Sequence, residues 1–154
     1  MTTSLNAAVE PWTPTETVLL VDDDIAIRRV FARTLQRRGY QVIEAANGED
    51  ALTLAGSCNA PIHLVISDIV MPEMDGNELF RTLRTWYPRI RFIFISGHLT
   101  SADTEISSDG RTAYIAKPLH LGDLLDLAEV IIRGRFDLSA GHQINASGLV
   151  AAHR

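Results

Sequence analysis

The chain has 154 residues, 46% of them apolar and 21% charged, with a net charge of −5 and a single cysteine. That length is expected to form one domain around one core; Cys58 alone supports neither a disulfide framework nor a thiol metal site, and the acidic balance argues against a nucleic-acid surface. No run approaches the roughly eighteen apolar residues of a membrane span, and MTTSLNAAVEPWTPTE lacks the charged start and apolar middle of a signal peptide, so a cytoplasmic protein without membrane association is expected.

In chain order, a short apolar run and a helical pattern take turns. Val18 to Val21 is short and bounded and predicts a buried strand; Ile27, Val30, Phe31, Thr34 and Leu35 then recur at helical spacing and stop at Gly39. Arg28, Arg29, Arg33, Arg37 and Arg38 are expected on the wet side of that helix. Tyr40 to Ala45 alternates and leads through Asn47 and Gly48 into a helix over Glu49 to Ala55. Ile62 to Ser67 predicts the third strand, and after the turn-rich MPEMDG comes a helix over Asn77 to Tyr87, ended by Pro88. Arg91 to Ser96 and Ala113 to Ala116 predict the fourth and fifth strands, and Leu121 to Ile132 the last helix. Apolar strands joined through helices form a parallel sheet covered on both faces, so the expected fold is a doubly wound α/β domain with five strands.

In such a sheet the carboxyl ends of the strands share one edge, and ligands bind there. That edge gathers Asp22 and Asp23 after strand one, Asp68 after strand three, Ser96 after strand four and Lys117 after strand five. Three carboxylates within about 4–6 Å repel and raise one another's pKa values, and a hard divalent cation removes the conflict; Mg²⁺ suits carboxylates, a carbonyl and waters. Lys117 is the single lysine among 14 basic residues. A compact ammonium where the chain otherwise uses arginine points to a phosphoryl oxygen or a buried carboxylate as its partner.

VLLVDDD, SDIVMPEMDG, FIFISG and YIAKP, in this order and spacing, resemble the motifs of the receiver domains of bacterial two-component response regulators, over about residues 16–133. The resemblance implies a flavodoxin- or CheY-like sheet with strand order 2-1-3-4-5. It implies that Asp68 is the phosphoacceptor, that Asp22, Asp23, Asp68 and the backbone carbonyl of Val70 hold Mg²⁺, and that Lys117 pairs with the phosphoryl group. Ser96 and Tyr114 match the switch pair, and Pro118 the proline that follows a cis peptide bond. The implied partners are a sensor histidine kinase or a histidine phosphotransfer protein, and an unidentified downstream protein. The implied role is that of a phosphoacceptor signalling protein that catalyses only its own phosphorylation and dephosphorylation.

Departures from the pattern carry expectations of their own. GHLTSADTEISSDGRT, rich in residues that are poor in helix interiors, predicts a short or irregular fourth helix. Gly97 stands where alanine is more usual. Val70 and His98, each two residues beyond a pocket residue, occupy rate-tuning positions; an apolar Val70 cannot orient an attacking water, so a long-lived phosphoryl state is expected.

Residues 1–15 and 134–154 are expected to be flexible segments, the second too short for an effector domain, as in single-domain regulators of the CpdR type; receivers attached to hybrid histidine kinases are also similar. Three other readings use parts of the pattern. A haloacid-dehalogenase-like phosphatase would use Asp22 and Asp24, although Ala26 departs from its motif and Asp123 and Asp126 make a poor later acidic motif. A flavodoxin-like cofactor binder would need hydroxyls and amides where the first loop is acidic. A degenerate receiver would bind its partner whether or not it is phosphorylated.

Overall fold

The computed structural model describes residues 15–97, 105–106, 109–134, 142–144 and 150–152. The expectations for residues 1–14 and for His98 lie outside the described residues. Strands β1 (Thr17–Val21), β2 (Gln41–Ala45), β3 (Leu64–Asp68), β4 (Arg91–Ser96) and β6 (Thr112–Ala116) run parallel in the order β2-β1-β3-β4-β6, the expected five-stranded arrangement. A two-residue strand β5 (Glu105–Ile106) adds to the outer side of β6 in the antiparallel sense. Helices α1 (Ile25–Arg38), α2 (Gly48–Ser57), α3 (Gly76–Trp86) and α4 (Leu121–Arg133) form the crossovers. Between β4 and β6 the described residues hold that edge strand and a turn but no helix, which fits a segment of Ser, Thr, Asp and Gly. After α4, β7 (His142–Ile144) and β8 (Val150–Ala152) pair antiparallel as a separate two-stranded sheet, in a stretch where no strand was expected.

The alternation of side chains along each strand makes two cores. Val18, Leu20, Leu64, Ile66, Ile93 and Ile95 point to one face and pack with Phe31 and Leu35 of α1 and Leu124, Leu127 and Ile131 of α4. Leu19, Val21, Val65, Phe92 and Phe94 point to the other and pack with Ala51 and Ala55 of α2 and Leu79 and Leu83 of α3. Because both faces are covered, the inner strands β1, β3 and β4 read as nearly continuous apolar runs, whereas the edge strand β2 keeps Gln41 and Glu44 exposed.

The helix starts hold the upper loops in place. Asp24 accepts the N–H groups of Ala26 and Ile27 at 2.9 and 3.1 Å, so α1 begins two residues earlier than its apolar spacing predicts. Asn47 and Asp75 cap α2 and α3 in the same way. Gly39, at φ 109°, ends α1 in the left-handed conformation that glycine adopts without strain.

Candidate functional site

Parallel register sets the carboxyl ends of β1, β3, β4 and β6 side by side. Asp22 follows β1 and is 2% exposed, with Asp23 exposed beside it; Asp68 ends β3, Ser96 ends β4, and both are buried; Lys117 follows β6. The structure thus brings together all five residues assigned to the pocket from the sequence. Carboxylate oxygens of Asp22, Asp23 and Asp68 all lie within 4.8 Å of one another. Lys117 Nζ donates to Asp68 Oδ2 at 2.6 Å, and the N–H of Val70 donates to Asp68 Oδ1 at 3.3 Å. Both oxygens of Asp68 therefore face donors, in the way that a bound phosphoryl oxygen would.

The charges do not balance. Three carboxylates face one ammonium, and burial is the main cause that pushes the Asp22 carboxyl above the usual range; the N–H of Asp24, 2.9 Å from Asp22 Oδ1, works against that, while the negative charge of Asp68 adds to it. For Lys117 burial is the largest influence and favours the neutral amine, but the hydrogen bond and charge of Asp68, with the charges of Asp22 and Asp23, together outweigh it and hold the group above its ordinary value. An excess of close, hard oxygen donors with net negative charge is the environment that a divalent cation such as Mg²⁺ fits.

The third aspartate of VLLVDDD has a different task. Its side chain is spent on the α1 cap, so the run divides into two carboxylates for the pocket and one for the helix. This removes Asp24 from the phosphatase reading, in which it would have to reach the reacting phosphate beside Asp22. Asp123 and Asp126 belong to α4 and are not among the carboxylates that gather with Asp22 and Asp68.

The switch positions occupy the far side of the site. The N–H of Lys117 donates to the Ser96 carbonyl at 2.8 Å, joining the two loops, and the Lys117–Pro118 peptide is cis. Tyr114, half-buried, stacks on Phe94 with ring centroids 4.7 Å apart and planes 15° apart. Phe94 in turn packs on Phe92, and Phe80 of α3 meets both rings edge-on. Val70 is 59% exposed at the pocket rim.

Two residues with a part in the site were missed or misread from the sequence. Arg28, expected on the wet side of α1, turns inward: its Nη1 donates to the Asp22 carbonyl at 2.9 Å and its Nε meets Glu44 at 3.3 Å. Its position one turn after the cap was the available signal, since that turn lies against the loop it closes. Gly76 lets the start of α3 approach β3, because a Cβ there would lie 2.5 Å from the Asp68 carbonyl oxygen. The glycine of MPEMDG was visible, but the close approach depends on how α3 returns to the sheet.

Comparison with known proteins agrees with this geometry. Residues 18–129 match the family model described as the response regulator receiver domain. The chain is 44% identical over 109 residues to the sensor kinase CckA of Brucella abortus (strain 2308), which covers 70% of this chain and only 12% of that protein. It is 36% identical over 116 residues to the response regulator receiver protein CpdR of the same organism, covering 75% of this chain and 95% of CpdR. Among solved structures, the receiver domain of the hybrid histidine kinase CckA superposes with a TM-score of 0.65 at 34% identity, covering 75% of this chain and 98% of that one. The response regulator TrrA of Thermotoga maritima, in complex with Mg²⁺-BeF, superposes with a TM-score of 0.61 at 26% identity, covering 76% and 99%.

Proposed function

We propose that this chain, which belongs to the response regulator receiver domain family, accepts a phosphoryl group on Asp68 from a histidine kinase or a phosphotransfer protein and thereby changes which protein surface it offers. The observation that carries the reading is the convergence on Asp68 of the Lys117 ammonium and the two further carboxylates. A carboxylate oxygen of Asp68 forms a bond to phosphorus as the bond from phosphorus to the donor's imidazole nitrogen breaks; the electron pair leaves on that nitrogen, and an acyl phosphate results. Lys117 exchanges its hydrogen bond with the carboxylate for one with a phosphoryl oxygen, and the Val70 N–H holds the carboxylate in orientation. Asp22, Asp23, Asp68 and the Val70 carbonyl would hold Mg²⁺, which when bound offsets charge on the transferring phosphoryl oxygens.

In the same reading Ser96 donates to the new phosphoryl group and Tyr114 leaves its present stacking for the space so made, shifting the surface of β4, β6 and α4. Val70 and His98 set the lifetime of the acyl phosphate. Residues 16–133 form the working unit, and its setting is the cytoplasm. Among the described residues no helix is long and apolar enough to cross a membrane. An apolar groove lined by Ala26, Ile27, Val30, Phe31, Pro118 and Leu119 opens beside Lys117, with Val30 exposed in it, and is the place for the phosphodonor to rest while its histidine faces Asp68.

Intact mass after incubation with acetyl phosphate and Mg²⁺ tests the assignment. A gain of one phosphoryl group that disappears in Asp68→Ala and with EDTA is expected. A gain that survives Asp68→Ala would overturn it.

A further inference from the structure

At the opposite edge of the sheet, where the strands begin, the loop from α3 to β4 and the residues before β3 enclose a cleft of about 430 Å³. It lies one strand length, about 16 Å, from the pocket around Asp68. Trp86 and Tyr87, 49% and 41% exposed, form its apolar wall, and Arg89, Arg91 and His63 line the rest. His63 Nδ1 accepts the N–H of Thr17 at 3.0 Å. The carboxyl end of α3 also points here, but the last turn of that helix has its own cation, Arg84, which is paired with Asp109 at 3.7 Å. Arg89 and Arg91 have no ion pair among the described residues. Two guanidinium groups without an ion pair here stand beside two exposed aromatic rings, a combination of charge and apolar surface suited to an interface. Nothing in phosphoryl transfer at the other edge uses them.

We propose that this cleft is a second docking site, separate from the phosphorylation pocket, for an acidic peptide segment of a partner protein that carries an aromatic or aliphatic anchor residue. The rim chooses the charge of the occupant: guanidinium forks take carboxylates in bidentate fashion. The wall chooses the anchor, and Trp, Tyr and Arg are the residue types in which binding energy concentrates at interfaces. Because the two sites lie at opposite edges, a peptide can occupy this one while a phosphodonor occupies the other.

The test uses the full chain carrying Trp12→Phe, so that Trp86 is the only tryptophan fluorophore. Titration with a short peptide of Glu and Asp around one Phe is expected to change Trp86 emission, with affinity that falls as salt is raised. Removing one charge-assisted hydrogen bond should weaken binding about ten-fold, so Arg89→Glu with Arg91→Glu should abolish it and Arg89→Gln with Arg91→Gln should weaken it by about ten-fold or more. Acetyl phosphate labelling of Asp68 should be unchanged in both, which shows that the fold is intact. Equal binding of the Gln and Asn version of the peptide, or no binding of the acidic one, would overturn the proposal. So would preference for phosphatidylglycerol vesicles over the peptide, or self-association of the chain that the same Arg substitutions abolish, since the occupant would then be a membrane or a second copy.

Discussion

Lys117 Nζ lies 2.6 Å from Asp68 Oδ2, a hydrogen bond made across 49 residues of sequence between the ends of β3 and β6, with β4 lying between those strands. It is shorter than the N–H contacts that Val70 and Asp24 make to the pocket carboxylates, and it is the place where charge, chemistry and stability meet. Lys117→Met should slow labelling of Asp68 by acetyl phosphate by roughly a hundred-fold or more, the usual cost of removing a group that stabilises developing charge. Lys117→Arg should not restore the rate, because a planar fork does not fit where a point charge bridges one oxygen. The rate of mass gain checks both.

Asp22 gives a dependence on pH whose sign can be worked out. Its carboxyl is held above the ordinary value mainly by burial, so the folded chain keeps that proton to higher pH than the unfolded chain does. The associated stability is complete below the unfolded pKa, about 3.9, and is lost as pH rises through the folded value. In EDTA, Asp22→Asn should therefore be more stable than the wild type at pH 7, with the difference closing as pH falls toward 4. Added Mg²⁺ should reverse the order, stabilising the wild type by about 2.7 kcal/mol at a hundred times its dissociation constant and the variant by much less. Urea unfolding at several pH values, with and without the cation, measures both effects.

Asp24→Ala separates the cap from the pocket. It should cost about 1 kcal/mol of stability, as loss of an N-cap typically does, while leaving phosphorylation of Asp68 at close to the wild-type extent. A loss of labelling without a loss of stability would show that Asp24 belongs to the chemistry after all.

Two glycines that look alike in sequence should respond oppositely to alanine. At Gly76 the added methyl group meets the backbone of Asp68, so Gly76→Ala should destabilise by about 1–3 kcal/mol and slow labelling as well. At Gly97 nothing lies within 4 Å and φ is not in the positive range, so Gly97→Ala should be neutral or stabilising by up to about 1 kcal/mol. Thermal melts of the pair give the comparison.

Val70→Asn tests the lifetime. The side chain is exposed at the rim, so the change should leave the fold and the hydrogen bonds of Asp68 in place while offering an attacking water a partner. Loss of the phosphoryl group, followed by mass after removal of the donor, should be several-fold faster than in the wild type.

The pocket was legible because its members are the first residues after apolar runs, and a parallel sheet leaves little choice about where such residues gather. The alternation of strands with helices in a two-faced parallel sheet was legible from the same runs, while the strand order came from the resemblance to receiver domains. What was not legible depended on side-chain direction. Nothing in DDD says which aspartate turns back to cap a helix, and Arg28 stands in a row of outward arginines that only the packing of α1 against the loop after β1 distinguishes. Val30 recurs at the spacing of the core residues yet is 49% exposed, because it lines the groove beside Lys117 instead of the core. The edge strand β5 is too short to have a period, so nothing in the pattern marks it as a partner of β6.

That two-residue strand has a bearing on how the molecule avoids its own kind. An outermost strand is a template for strands from other chains, and β6 would be one if it ended the sheet with a row of open amides and carbonyls. Glu105–Ile106, set against it in the opposite direction, occupies part of that row and is itself too brief to recruit another chain. On the other margin, β2 exposes Gln41 and Glu44 along its five residues, and a charged group there discourages a neighbour from closing in. Both margins of the sheet are thus guarded, one by brevity and one by charge, and association is left to side-chain surfaces such as the groove beside Lys117 and the cleft at Trp86.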